Sequence, residues 1–257
     1  MMHSVIALAG ALGALTATVS APPAGKAALQ LDPKGAAALR VGYMPIRIAL
    51  SDLMPAGVTK EPTYAGKPKY GSIVVGNGPK GAHTVVVDEP AGGEFKVWLD
   101  TNADGDLTND GNGSRSKKTD QDGGRTLYGI NEFVVRASYG AGGKEKSSAD
   151  TGIALYRIVT SDSDALLMYR LGVRSGALSV AGTDYKAMLL ENDADGLYNK
   201  SLGDDDKPLP GSAAATRPVW LILENDGKRL APIDIRYPFE LGGKTWLASA
   251  SADGSEL

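Results

Sequence analysis

Two stretches of this chain crowd side-chain oxygens at a spacing that suits a metal ion. In "DTNADGDLTNDG" (100–111), Asp100, Asn102, Asp104, Asp106 and Asp110 stand together with no Lys or Arg among them. Carboxylates this close repel one another unless something cationic joins them. "ENDADGLYNK" (191–200) repeats the pattern with Glu191, Asp193 and Asp195.

Hard dications take six to eight oxygens, and a loop that offers alternate side chains can wrap them around one centre. In the first loop Asp100, Asn102 and Asp104 fill positions 1, 3 and 5, and Gly105 at position 6 permits the sharp turn. Asp106 offers its carbonyl at position 7, Leu107 anchors the loop at 8, and Thr108 is available at 9. In the second loop Glu191, Asp193 and Asp195 take the same first three places, followed by Gly196, Leu197 for its carbonyl, and Asn199. Oxygen-only ligands favour calcium. Magnesium prefers water-rich octahedral sites, and zinc lacks the Cys and His it needs.

Neither loop is an EF-hand. Position 12 holds Gly111 in one and Leu202 in the other, so the closing bidentate Glu is missing. The last carboxylate is expected from Asp110 in the first loop and from Asp204, Asp205 or Asp206 in the second. A third stretch, "LILENDGK" (221–228), has Ile222 at position 1 and reads as a decayed copy that only turns a hairpin. The plain alternative for every such loop is an Asx-rich turn, since Asp-Gly and Asn-Gly favour turns without any ion.

The elements that must position these loops are strands. Short β-branched and aromatic runs ("YGSIVVG", "HTVVVDE", "EFKVWLD", "NEFVVRASYG", "GIALYRIVT", "ALLMYRLG", "YKAMLLE", "PVWLILE") alternate with Gly, Pro, Asn and Asp clusters. Both acidic loops follow strands, "FKVWL" and "YKAMLL". The pattern predicts an all-β fold, an antiparallel sandwich or barrel-like architecture, with two tandem β-units. The one helical composition, 24–40, is broken by Pro33 and Gly35 and reads as a loose segment or one short helix. "SYGAGGKEKSSADTG" (138–152) reads as a long exposed hairpin loop.

An internal echo supports the tandem reading. "LSVAGTDYKAMLLENDADG" (178–196) and "FELGGKTWLASASADG" (239–254) share a strand, a small-Gly turn and an aromatic that opens the return strand. Gly182 and Gly243 should both need positive φ. With a boundary in 150–175, the chain divides into an N-terminal segment 22–40, a first unit 41–160 with loop 100–111, and a second unit 161–257 with loop 191–206.

Composition limits the function. The 257 residues can bury a real core. A formal net charge of −3 without a basic face argues against nucleic acid as a partner. No later segment approaches the roughly 18 apolar residues of a membrane span. With no Cys, thiol nucleophiles, disulfides and Cys-ligated metals are excluded together. His83 reads as a strand-edge residue, and no catalytic triad, phosphate loop or dinucleotide fingerprint appears. Residues 1–21 carry no Asp, Glu, Lys or Arg and end in small residues, which fits a secretory signal and a periplasmic or extracellular location.

"YMPIRIALSDLMPAGVTKEPTYAGKPKYGSIVVGNGPKGAHTVVVDEP", "VWLDTNADGDLTNDG", "YKAMLLENDADGLYN" and "PFELGGKTWLASASADGS" together resemble a secreted bacterial β-domain found N-terminal to thioredoxin-like, disulfide-reductase modules. The resemblance spans roughly 38–257 and implies an exported calcium-loop β-protein whose own activity is unassigned. Reductase chemistry cannot be carried over, because a redox-active C-x-x-C is missing. The leading expectation is therefore an exported, non-enzymatic β-protein holding calcium for structure. Its alternative is a glycan-binding or accessory module of a larger secreted enzyme or redox protein, with Trp98, Trp220 and Trp246 as the candidate aromatics, although all three sit in apolar strand contexts. A third class is an acid-based hydrolase, which would need two carboxylates free of any metal loop.

Overall fold

β-branched runs punctuated by Gly and Asx turns fold here into strands joined mostly by short turns. The structure is a computed structural model, and it describes residues 25–91, 94–116, 118–121, 125–159, 164–204 and 217–257. The first strands are β1 (Gln30–Asp32), β2 (Ile46–Ile48), β3 (Lys69–Val74), β4 (Ala82–Asp88), β5 (Phe95–Leu99) and β6 (Ser114–Ser116). Then come β7 (Lys118–Gln121), β8 (Arg125–Ala141), β9 (Lys144–Val159), β10 (Asp164–Arg170), β11 (Val173–Val180) and β12 (Thr183–Glu191). The chain closes with β13 (Val219–Asn225), β14 (Lys228–Arg229), β15 (Ile233–Asp234), β16 (Phe239–Leu241) and β17 (Lys244–Trp246).

All pairings between these strands are antiparallel. Sheet one runs β1-β11-β12-β13-β14, with β15 also on β13. Sheet two runs β2-β10-β9-β8-β7, and sheet three β3-β4-β5-β6. β16 and β17 form a separate hairpin. The fold is all-β as expected, and no sheet closes into a barrel. Helical structure among the described residues is limited to short 3-10 turns, at Gly35–Leu39 and Leu202–Asp204. The stretch 24–40, expected as a loose segment or one short helix, holds β1 and then the first of these 3-10 turns in its described part.

Sheets two and three sandwich one core. Ile46, Ile48, Leu155, Leu166 and Met168 meet Val85, Val87, Val97 and Leu99 across it. Each such side chain contributes roughly 1.5–3 kcal/mol by leaving water. A second core lies on sheet one, where Leu189, Leu221 and Leu223 pack with Phe239 and Trp246. Loop 191–199 joins the two: Ala194 and Leu197 pack into the first core and Tyr198 into the second. Residue 160, where the sequence division falls, lies outside the described residues, and β9 and β10, which flank it in sequence, pair with each other.

The stretch 138–152 differs from expectation. It is not a loop but the end of the β8–β9 ladder, with Ser138 opposite Ser148 and Arg136 opposite Asp150. Only Gly142 and Gly143 turn, at φ 62° and 74°. Two residues with positive φ match the natural twist of a hairpin, so polar strands can extend from them without a loop. Ala181-Gly182, Asp226-Gly227 and Gly242-Gly243 do the same, with Gly182 and Gly243 at φ 76° and 71°. The 221–228 stretch thus turns a hairpin, β13 to β14, as its sequence suggested.

Candidate metal centre

β5 delivers the first acidic loop. Leu99 is buried in the sandwich, and the next residue, Asp100, donates its N–H to Thr84 O at 2.9 Å. His83 on β4 places Nδ1 2.8 Å from the Asp100 carbonyl. A carbonyl only accepts, so Nδ1 carries the proton and Nε2 keeps a lone pair. That Nε2 is buried without a hydrogen-bond partner. Burial pushes the imidazole pKa down, which keeps His83 neutral. His83 is fully buried and supports the loop from below, rather than standing at a strand edge.

Beyond Asp100 the backbone coils tightly, with Ala103 at φ 57° and Gly105 at φ 80°. Asp100 accepts from Asp104 N (3.1 Å) and Gly105 N (2.9 Å), and Asn102 Oδ1 accepts from the same Asp104 N at 3.1 Å. Asp104 Oδ2 accepts from Asn102 Nδ2 (2.9 Å) and Asn109 Nδ2 (2.8 Å), while Oδ1 takes Asp106 N at 2.8 Å. The side chains of Asp100, Asn102 and Asp104 therefore lie about one turn, bonded to its own N–H groups, but no three carboxylates of this loop bring oxygens within 4.8 Å of one another, as Glu191, Asp193 and Asp195 do in the second loop. Asp110 closes the loop by accepting from Thr101 N at 3.0 Å and from the Thr101 hydroxyl. Its other oxygen, Oδ2, is buried without a partner, and burial raises the carboxyl pKa.

The loop is pinned from outside. Leu107 is fully buried among Val58, Tyr70, Val86 and Trp98, and its N–H donates to Lys60 O at 3.0 Å. Gly105 O accepts from Thr59 N at 2.8 Å, and a Cβ on Gly105 would lie 2.1 Å from Gly57 O. Asp106 turns outward to Lys60 Nζ (2.7 Å), which pulls its pKa down to about 2. The Thr108 hydroxyl donates to Asp106, so the expected position-9 ligand is engaged elsewhere.

The second loop has the same backbone signature. Ala194 and Gly196, at φ 54° and 72°, stand where Ala103 and Gly105 stand relative to the first residue of each loop. Its chemistry differs. Glu191 is one methylene longer than Asp100 and folds back to accept from Asp193 N (2.8 Å) and Ala194 N (2.6 Å). Glu191, Asp193 and Asp195 are all buried, with ligand atoms within 4.8 Å of one another, an arrangement that could hold a metal. Two side-chain cations already sit among them. Lys200 pairs with Asp193 and, at 3.0 Å, with Asp195. Arg217 pairs with Asp193 at 2.5 Å and with Asp195.

Burial pushes Glu191 well above the usual carboxylate range, and the neighbouring Asp193 charge adds to the shift. Burial opposes ionisation of Asp193 too, but Lys200 and Arg217 outweigh it and hold that carboxyl below its ordinary value. Burial pushes the Asp195 carboxyl up as well, against the pull of Lys200, so the cluster's carboxyls share two cations, Lys200 and Arg217. A buried set closed in this way tolerates the absence of an ion, whereas losing one partner would leave an uncompensated charge.

The remaining expected ligands lie apart. Asn199 is exposed, and Leu197 donates its N–H to Asp195 Oδ1 at 2.9 Å. Asp204 ends the second 3-10 turn; its side chain, together with Asp205 and Asp206, lies outside the described residues, as does the 1–21 stretch. Sequence reasoning missed Arg217, Thr101 and the supporting role of His83. Arg217 reaches Asp195 across a sequence separation of 22, and no local spacing signals that. Of the tryptophans, Trp98 is buried against Tyr64, with ring centroids 5.3 Å apart, while Trp220 and Trp246 are half-buried. No described helix is long and apolar enough to cross a membrane. Comparison with protein-family models, curated proteins and solved structures finds no match to this chain.

Proposed function

We propose that this chain is an exported, calcium-binding β-protein in which the ion is structural and loop 100–110 is the principal site. One observation carries the reading: Asp100, Asn102 and Asp104 lie around a left-handed turn, while Asp110, which closes the loop, keeps a buried oxygen without a partner. The donors are all oxygen, and their hardness suits calcium. Asp100, Asn102, Asp104 and Asp110 would hold the ion with the Asp106 carbonyl. The ion's contribution is charge neutralisation and cross-linking of the loop. Loop 191–199 admits an ion only if Lys200 and Arg217 leave their carboxylates, so it is the weaker site. The uncharged stretch 1–21 supports a periplasmic or extracellular setting, where free calcium is abundant enough for such a site. The resemblance to domains that precede redox modules is compatible with an accessory role, and thiol chemistry is not part of it.

Thermal melts in calcium and in chelator test the proposal. An ion bound only by the folded chain adds RT ln(1 + [L]/Kd), about 2.7 kcal/mol when calcium exceeds Kd roughly a hundredfold. For a chain of this size that corresponds to a midpoint several degrees higher, at roughly 2–4 °C per kcal/mol. Identical midpoints in the two conditions would refute it.

A further inference from the structure

A hollow on sheet one differs in character from either acidic loop. It lies where the β16–β17 hairpin stands over sheet one without pairing to it. Leu178, Val180, Leu221 and Leu223 form the sheet wall, and Phe239 and Trp246 form the hairpin wall. A third wall comes from the paired segments at the two ends of the described chain, where Ala27 and Leu257 exchange backbone hydrogen bonds at 2.8 and 3.0 Å. Together they bound a cleft of about 600 Å³ that opens to solvent along one side. Protein interiors close-pack and leave few voids larger than a water molecule. The cleft falls within the volume range of small-molecule sites, and a guest that covers its apolar walls would displace water from them.

We propose that this cleft binds one uncharged, largely hydrocarbon molecule of the medium-chain alcohol type. Leu, Val, Phe and Trp side chains supply the walls for the tail. The rim decides the head group. Lys26 and Glu256 both line the cleft, both are exposed, and neither forms an ion pair among the described residues. An anionic head would meet Glu256 as well as Lys26, and a cationic head the reverse, so neither gains a net attraction to offset the hydration it loses. A hydroxyl carries no charge to desolvate and can hydrogen-bond at the exposed Ser249, which also lines the cleft. Trp246 is fixed in place by its Nε1 donating to Leu241 O at 3.0 Å, so its indole reports what enters.

The test titrates the full chain with 1-decanol, decanoate and decylamine, following tryptophan emission and the melting midpoint, in calcium and in chelator alike. Decanol is expected to shift the emission and raise the midpoint in both conditions, and Trp246→Phe should abolish the emission change. Decanoate and decylamine should bind at least about tenfold more weakly. Ala250→Phe, which fills the cleft from its wall, should weaken decanol about tenfold or more; Ala248→Leu provides the same reading if the larger side chain prevents folding. Equal affinity for a charged homologue, undiminished binding in the filled variants, or no response to any of the three would overturn the proposal. Because the readout does not need calcium, its failure leaves the metal reading untouched.

Discussion

Asp110 Oδ2 and His83 Nε2 are buried acceptors without hydrogen-bond partners, and each such atom costs roughly 1–3 kcal/mol. At Asp110 an ion can offset that cost; Asp110→Asn is expected to lower calcium affinity while leaving the chelated protein at least as stable, read by melts in both conditions. At His83 the cost appears as pH dependence. Its pKa is near 6.5 when unfolded and lower when folded, because burial disfavours the imidazolium. The neutral form is favoured by the fold, so stability is complete above pH 6.5 and falls as the pH drops through the folded value. Urea melts of the chelated protein from about pH 7.5 to 5.5 should therefore decline more steeply for the parent than for His83→Gln; parallel curves would assign the acid sensitivity to other groups. Lys200 belongs to the same scale. Lys200→Met leaves Asp193 and Asp195 with one cation between them and should cost about 3–5 kcal/mol in chelator. Recovery of most of that loss on adding calcium would show that the vacated cluster can take an ion.

At the scale of elements, the loops and hairpins depend on a few left-handed residues. Gly182 has φ 76° and open space around a would-be Cβ, so Gly182→Ala should cost only about 1–2 kcal/mol of conformational strain. Gly105→Ala adds a collision with Gly57 O to the same strain, and should both destabilise more and weaken calcium binding. Paired urea melts and calcium titrations of the two variants would separate these effects. These positions were legible in the sequence because turn chemistry is local: "AGTD" and "LGGK" declare their hairpins, and "ADGD" declares the positive-φ turn at Gly105. The 138–152 stretch was misread for the complementary reason. Its polar residues look like a loop, but a ladder needs only a partner strand, and Gly142-Gly143 turns the chain unaided. The Lys200–Arg217 closure of the second loop could not be read at all, since tertiary packing alone brings Arg217 to Asp193 and Asp195.

For the whole molecule, the all-β class followed from strand runs and their punctuation, whereas sheet membership did not. β2 pairs with β10 and β1 with β11, partners that no alternation of apolar residues could nominate. That wiring sets the two acidic loops in unlike surroundings. Loop 100–110 lies at the margin of sheet three with Asn102 and Asp104 exposed, so an ion can reach it. Loop 191–199 lies at the joint between two cores and is already closed by side-chain cations. The central claim is that calcium is held by the exposed loop, and calorimetric titration of calcium into the parent, Asp104→Ala and Asp195→Ala chains tests it most directly. The account predicts that the tighter binding event disappears in Asp104→Ala and survives in Asp195→Ala; a tighter event that survives loss of Asp104 and vanishes with Asp195, or a parent that takes up no calcium, would contradict it.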